Sequence, residues 1–257
     1  MKAIILSAGQ GTRLRPLTEH RPKCLLPVEA EYSLLGWQLR ELAAAGVGEA
    51  VVVTGFKAGK VEEEIRLRRP REMEVRALHN VDFAKMDNLG SAWMAREEMS
   101  GDFILLNGDT LFTRSVVERL LAAPFAPIRV TVSKKEYYDE DDMKVSLRDG
   151  RLTAIGKKLP LERTDAESIG MILFRGEGPG RFLRAAEQCM AEQASGFRKR
   201  YYLWLIDRIA ADTPVAVCPV DDGDWGEVDF PGDLSECRRL VENWLSQSRG
   251  ARTAAAR

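Results

Sequence analysis

Lys2-Ala3-Ile4-Ile5-Leu6-Ser7-Ala8-Gly9-Gln10-Gly11-Thr12-Arg13-Leu14 opens the chain with a short apolar run that breaks into a loop of small residues. The run predicts a buried strand over Lys2 to Ser7. The glycines after it let backbone N–H groups approach an anionic ligand closely, so the loop reads as a phosphate cradle. Neither common nucleotide motif is present: a dinucleotide fingerprint needs a third glycine where Leu14 stands, and a P-loop needs Gly-Lys-Ser/Thr. A glycine turn after a strand is often only a turn, so the neighbouring sequence has to decide.

Beyond the loop, short apolar runs alternate with amphipathic stretches. Strands are predicted at Ala50–Thr54, Glu74–His79 and Asp102–Asn107, and helices at Leu34–Ala45, Ala58–Arg68 and Leu89–Glu98, the last opened by Asp87-Asn88 as a cap. Strand–helix alternation of this kind predicts an α/β fold with a doubly wound, mostly parallel, Rossmann-like sheet. Ligands then gather at the carboxyl ends of the strands, which draws attention to the loops after Ser7, His79 and Asn107. The second half changes character. Ile128–Lys135 reads as a strand, and Met143–Leu147 and Leu152–Lys157 flank Asp149-Gly150, a hairpin signal, so a β-rich insertion is expected. A strand at Glu167–Phe174, helices near Gly180–Gln193 and Tyr201–Ala211, a strand at Pro214–Pro219 and a proline-started helix at Pro231–Ser246 complete the prediction. Residues 1–248 are read as one domain of two halves, 1–125 and 126–248, sharing a continuous core, with 249–257 as a disordered tail.

Composition narrows the function classes. The chain has 257 residues, 45% of them hydrophobic, which suffices for an ordinary core. Its 38 Lys plus Arg against 39 Asp plus Glu leave a charge of −1, so no overall field favours nucleic acid or a membrane surface. Apolar runs such as Ala3–Leu6 and Phe103–Leu106 fall far short of the roughly 20 residues that span a bilayer. Met1-Lys2 leads straight into the first strand, so no signal peptide is expected. The cysteines (Cys24, Cys189, Cys218, Cys237) form no CxxC pair and the histidines (His20, His79) offer no zinc spacing. Reduced thiols, structural histidines and a cytoplasmic location are the corresponding expectations.

Two cations follow the loop, within Arg13-Leu14-Arg15-Pro16 and Arg21-Pro22-Lys23-Cys24-Leu25-Leu26-Pro27. As a whole, Leu6-x-Ala8-Gly9-x-Gly11-Thr12-Arg13-Leu14 with Pro22-Lys23-x-Leu25-x-Pro27 resembles the sugar-nucleotidyltransferase superfamily, whose members join a nucleoside triphosphate to a phosphorylated acceptor. The resemblance implies that the glycine loop holds the triphosphate and that Arg13 and Lys23 neutralise the departing pyrophosphate. Phosphoryl chemistry is mainly positioning and charge neutralisation, which suits such a pair. It also makes residues 1–125 the nucleotide-binding half and 126–248 the acceptor-binding half.

The apolar strand before Asn107-Gly108-Asp109-Thr110 ends in a carboxylate where a doubly wound sheet places its ligands. Trp225-Gly226-Glu227-Val228-Asp229-Phe230-Pro231-Gly232-Asp233-Leu234 is similar to the family's second metal segment. By resemblance Asp109 and Asp229 hold Mg²⁺, a hard cation that takes oxygen ligands, while Asp233 is read as a helix cap. The Glu-Lys-Pro element usual in hexose-1-phosphate enzymes is absent. Met143-Lys144-Val145, Gly156-Lys157-Lys158 and Asp165-Ala166-Glu167-Ser168 are more similar to cytidylyltransferases acting on phosphocholine, inositol 1-phosphate or phosphonates.

That likeness implies CTP as the nucleotide and assigns acceptor-phosphate binding to Lys144 and Lys157. By their own chemistry Glu167, Asp207 and the aromatic Trp204 are further candidates for lining the acceptor pocket. Asp87-Asn88-Leu89-Gly90-Ser91 resembles the segment that meets the base, with Asn88 and Ser91 as contacts and Asp87 departing from the family's first Asn. The aromatic residues Tyr201, Tyr202 and Trp204 also fall at helical spacing, as core residues do. The acidic run Asp139-Glu140-Asp141-Asp142 is read as a solvated loop or lid, or as a preference for a cationic acceptor.

The resulting expectation is a Mg²⁺-dependent cytidylyltransferase with a small phosphorylated acceptor and no nucleic-acid or membrane partner, compatible with homo-oligomerisation. The rivals are a hexose-1-phosphate nucleotidyltransferase and a non-catalytic nucleotide-binding module. A glycosyltransferase would need its DxD motif at an apolar strand end, which Asp139-Glu140-Asp141 is not.

Overall fold

Alternation along β1 (Lys2–Ser7) divides the core in two, because successive strand residues point to opposite faces. Ile4 and Leu6 pack with one apolar cluster, Ala3 and Ile5 with another, and nearly every β1 side chain is buried. A strand covered on both faces has to be apolar throughout, which is why it reads as a continuous run rather than an alternation. In the computed structural model, residues 1–192, 194–197 and 199–255 are described.

Parallel pairings join β1 to β2 (Glu49–Thr54) and β4 (Phe103–Asn107), and β2 to β3 (Glu74–His79). Helices α1 (Leu34–Ala44), α2 (Ala58–Arg68) and α4 (Arg114–Ala122) cover one face; α3 (Asn88–Met94), α5 (Gly178–Glu192) and α7 (Tyr202–Asp212) cover the other, with the four-residue α6 (Ala194–Phe197) between the last two. With β6 (Ile128–Ser133), β7 (Lys144–Arg148), β8 (Arg151–Ile155), β9 (Ala166–Phe174) and β10 (Val215–Val220), the sheet order is β3-β2-β1-β4-β9-β6-β10-β8-β7. The chain winds outward from β1 through β2 to β3, then returns to place β4 on the other side of β1. A crevice opens at such a switch point.

The predicted elements are present, with differences: α4 and two short strands, Thr110–Phe112 and Trp225–Glu227, are not among those predicted, and α3 ends at Met94 rather than Glu98. The β7–β8 hairpin turns at Asp149-Gly150, both in the left-handed region, but it is hydrogen-bonded to β9 and β10 and so extends the main sheet instead of forming a separate insertion. The strand predicted through Lys135 ends at Ser133. The last helix, α8, runs from Pro231 to Ala255, beyond the predicted end at Ser246, so the tail expected to be disordered is helical through Ala255 while residues 256–257 lie outside the described residues. Alanine and arginine favour helix even where no apolar periodicity marks it. Gln193, the predicted end of α5, also lies outside the described residues.

A short ladder between β5 (Thr110–Phe112) and β11 (Trp225–Glu227) sets Glu227 opposite Thr110, and Val228 N donates to the Asp109 carbonyl at 3.1 Å. A third apolar cluster joins α8 (Leu234, Cys237, Val241, Trp244) to Leu14, Leu26, Val28 and Trp37. Packing thus anchors both the cation-bearing segment after β1 and the start of α8. The four cysteines are buried and free.

Close approach governs the crevice floor. Gly108 N donates to the Leu6 carbonyl at 2.9 Å, and a Cβ on Gly108 would stand 2.6 Å from that oxygen and strike Ser7. The Ser7 hydroxyl can rotate away but the Leu6 carbonyl and the Ser7 Cα are backbone and cannot, so Gly108→Ala is expected to cost about 2 kcal/mol or more. An unchanged denaturant midpoint in that variant would show that β1 and β4 can separate at no cost.

Candidate active site

The loops after β1 and β4, the start of α3 and the hairpin enclose a cleft of about 340 Å³ at the carboxyl end of the sheet. Leu6, Ala8, Gly9, Gly11, Thr12, Arg13, Lys23, Asn88, Ser91, Asp109, Lys157 and Asp229, all expected from sequence, line it. Gly11 adopts φ +60°, and a Cβ there would come 3.1 Å from Lys23 Cβ and Thr18 Cγ2. The buried Thr18 hydroxyl donates to the Gly11 carbonyl at 2.7 Å, fixing the loop against the segment that carries Lys23.

Lys23 opens a helical turn after Pro22, and its Nζ donates to Asp109 Oδ2 at 2.7 Å and to Asp229 Oδ1 at 2.6 Å. Burial opposes its charge, but Asp109 and Asp229 more than offset that and raise Lys23 above the ordinary lysine value. Burial would likewise raise Asp229, yet Lys23 and then Arg13 hold it below the usual carboxylate value. Arg13 spans two carboxylates, Asp229 at 2.7 Å and Asp141 at 2.9 Å, and its guanidinium lies 4.9 Å from the Phe230 ring centroid. Asp233 Oδ2 accepts from Asp229 N and Phe230 N at 2.8 and 2.7 Å, the cap expected of it, and thereby orients Asp229.

Glu227, given no role from sequence, is the third acid here. It is two residues from Asp229, and oxygens of Asp109, Glu227 and Asp229 all lie within 4.8 Å of one another. Enclosure in the cleft and the charges of Asp109 and Asp229 push its carboxyl up; because the side chain keeps solvent contact, the neighbouring charges are the durable cause. Asp109 Oδ1 is buried without a hydrogen-bond partner. An orphaned carboxylate oxygen beside two further acids fits a hard divalent cation, which takes oxygen ligands.

Asn88 Oδ1 accepts from Tyr202 N at 2.9 Å, so its side chain caps α7 and only its amide NH₂ is left to offer a ligand. Asp87 caps α3 through a 2.8 Å bond from Asn88 N; burial raises its carboxyl, with Lys157 and that bond opposing. Ser91 Oγ accepts from the buried Asn80. Phe83, Met86 and Leu203 supply apolar surface on this side.

Lys157 stands 5.2 Å from the Tyr201 ring centroid and 3.1 Å from Asp141. Four expected acceptor residues are not in the cleft. Lys144 is buried, with Nζ bound to the carbonyls of Asp139 and Lys157, so it braces the acidic loop against the hairpin. Asp207 Oδ1 accepts from Ile155 N at 2.8 Å, tying α7 to β8. Trp204 stacks under Arg200 and Arg208. Tyr202 is core, as helical spacing foretold, whereas Tyr201 faces the cleft.

Glu167, the fourth, is 2% exposed and lies 2.7 Å from Lys135 Nζ. Burial pushes its carboxyl up to about 8 despite Lys135, and Asp142 adds to the rise. A folded value above the unfolded one means that the native chain binds this proton more tightly. The contribution to stability is therefore full at acid pH and is lost as pH rises through about 8. Denaturation midpoints from pH 6 to 9 should fall in the wild type and fall much less in Glu167→Gln; parallel curves would refute this.

Residues 2–136 match the family model described as Nucleotidyl transferase. The chain belongs to that family. It is 32% identical over 244 residues to the CMP-5'-(3-aminopropyl)phosphonate synthase of Streptomyces rubellomurinus, covering 91% of this chain and 37% of the relative. It is 25% identical over 242 residues to the bifunctional IPC transferase and DIPP synthase of Aquifex aeolicus, covering 93% and 51%. The chain thus spans about half or less of the length of these relatives. The structure of the inositol-1-phosphate CTP transferase from T. maritima superposes with a TM-score of 0.75 at 22% identity, covering 94% of each chain, and shows the shared fold. Among the described residues no helix is long and apolar enough to cross a membrane.

Proposed function

We propose that this chain transfers the cytidylyl group of CTP to a small phospho-alcohol or phosphonate and releases pyrophosphate, with Mg²⁺ as its metal. The observation that best supports the reading is the convergence of Arg13, Lys23, Asp109, Glu227 and Asp229 beside an open glycine loop. Similarity to relatives named for CMP-phosphonate synthesis and IPC transfer supports the same class.

Charge sets the orientation. Phosphates take the N–H groups of the Gly9–Arg13 loop and the two cations, and the base takes the less charged side formed by Leu6, Ala8, Phe83, Met86, Asn88 and Ser91. An acceptor phosphate oxygen, already anionic, attacks the α-phosphorus. A new P–O bond forms, the α–β bridging P–O bond breaks, and its electron pair leaves with pyrophosphate, so no general base is needed. Arg13 and Lys23 neutralise that leaving charge, and Lys157 aligns the acceptor. Asp109 and Asp229, with Glu227, would hold Mg²⁺, which supplies further positive charge at the phosphates.

Pyrophosphate release from four NTPs and dTTP should be measured against phosphocholine, 2-aminoethylphosphonate, inositol 1-phosphate, glycerol 3-phosphate and glucose 1-phosphate, with Asp109→Ala as blank. Turnover with CTP and a non-sugar acceptor is the expected result. Preference for glucose 1-phosphate would replace it with hexose-1-phosphate transfer, and nucleotide binding without any product would replace it with a non-catalytic module.

A further inference from the structure

Gln38 is a polar residue on a helix face that is otherwise apolar. In α1 it stands with Leu35, Leu39 and Leu42 at three- and four-residue spacing, and those leucines pack into the cluster beneath the sheet. Its side chain is fully buried, where an amide is costly unless it is bonded. Nε2 makes two bonds, donating to the Asn107 carbonyl at 2.9 Å and to the Thr110 carbonyl at 2.7 Å. Because both partners are acceptors, they require the NH₂ group on that side and so fix the amide orientation. Gln38 Oε1 is buried and faces no donor among the described residues. An amide that serves two carbonyls some seventy residues away and leaves its own oxygen orphaned is a poor way to fill a core. Methionine would fill the same space without that cost.

The two carbonyls bound the turn that carries Asp109. β4 ends at Asn107 and β5 begins at Thr110, so only Gly108 and Asp109 lie between them. Gly108 N donates to the Leu6 carbonyl and Val228 N to the Asp109 carbonyl, which tie the middle of the turn to its neighbours. Gln38 adds a restraint of another kind: one planar amide spans residues i and i+3 and fixes the distance between the ends of the turn. The buried Thr110 hydroxyl anchors one end again, donating to the Ile169 carbonyl at 3.0 Å. A turn whose ends cannot part holds its central side chain in one direction. Here that side chain meets Lys23 through Oδ2 and leaves Oδ1 unpaired beside Glu227 and Asp229. Gln38 does not line the cleft, so any effect it has on the site passes through the turn.

We propose that Gln38 is a positioning residue for the metal-binding carboxylate, holding the Asn107–Thr110 turn so that Asp109 points at the cation it shares with Glu227 and Asp229. This rests on the reading of those three acids as a Mg²⁺ site and extends it to a residue that touches neither metal nor substrate. Partners behind a metal ligand set how well it is presented, and losing one costs about ten- to a hundredfold in metal affinity or activity.

Gln38→Met keeps the length of the side chain and removes both donors. The Mg²⁺ dissociation constant of the full chain, drawn from the rise of Tm with Mg²⁺ concentration, should increase by about tenfold or more in this variant. With CTP at saturation, kcat should fall by about the same factor while KM for the acceptor stays within about twofold. Trp37→Phe is the comparison. Trp37 Nε1 donates to the Phe112 carbonyl at 2.9 Å, so this variant loses a buried hydrogen bond from α1 to β5 and leaves the turn untouched. It should lower the Tm with no change in the Mg²⁺ constant. Gln38→Glu, whose carboxyl burial keeps neutral, retains one donor, should shift the constant by less, and gives the answer if Gln38→Met does not fold. An unchanged Mg²⁺ constant in a folded Gln38 variant, or an equal shift in Trp37→Phe, would reduce Gln38 to packing and overturn the proposal. Absence of product with every acceptor defeats cytidylyl transfer and leaves the Mg²⁺ constants to decide the role of Gln38. A wild type whose Tm ignores Mg²⁺ removes the metal site, and this role with it.

Discussion

Asp109→Ala is expected to lower pyrophosphate release by about a thousandfold or more, the equivalent of roughly 4 kcal/mol of transition-state stabilisation. Asp109 serves both charge centres, with Oδ2 on Lys23 and Oδ1 buried and unpaired beside Glu227 and Asp229. Stability should move the other way. Removing one of three crowded acids relieves repulsion, so without divalent cation the variant should melt no lower than the wild type. With millimolar Mg²⁺ the wild type should gain in Tm and the variant should gain much less, since a ligand stabilises only the fold that binds it. Equal Mg²⁺-dependent gains would remove Asp109 from the metal site even if activity were lost.

Lys23→Ala should reduce kcat by about a hundred- to a thousandfold, the cost of removing a positioned charge from a developing anion. The loss should lie in kcat more than in KM, because the leaving-group charge appears only as the bond breaks. This variant should also be destabilised in the absence of metal. Lys23 is the ammonium that Asp109 and Asp229 share at 2.7 and 2.6 Å, and without it those carboxylates face one another uncompensated. Mg²⁺ should therefore raise the Tm of Lys23→Ala by more than that of the wild type. Near-normal turnover at saturating CTP would exclude the leaving-group role.

The two substitutions probe residues of different legibility. Lys23 stands ten residues from Arg13, inside one continuous motif, so its relation to the glycine loop can be read locally. Asp109 and Asp229 are also visible as motif residues, but that they share one ammonium follows from the β5–β11 ladder, a pairing across more than a hundred residues. Glu227 carried a signal that sequence reading passed over, namely its i, i+2 relation to Asp229 at a strand end. Lys144, Glu167, Trp204 and Asp207 carry the right chemistry for an acceptor site, and nothing local distinguishes a lysine that faces a cleft from one that braces a loop.

Sequence by itself determined most of the strands and helices (though not α4, β5 or β11), the burial of the apolar strands β1 and β4, the glycine-rich break after β1 and the caps at Asp87 and Asp233. Each of these depends on interactions within a few residues, where side-chain period, backbone freedom and capping chemistry operate. Only the tertiary structure decided that the hairpin completes the main sheet, that Asn88 spends its carbonyl on α7, and that Asp141 bridges Arg13 and Lys157. Those outcomes depend on which distant strands pair and which helices dock. That choice is made by the total apolar surface buried across the fold, so no single segment records it.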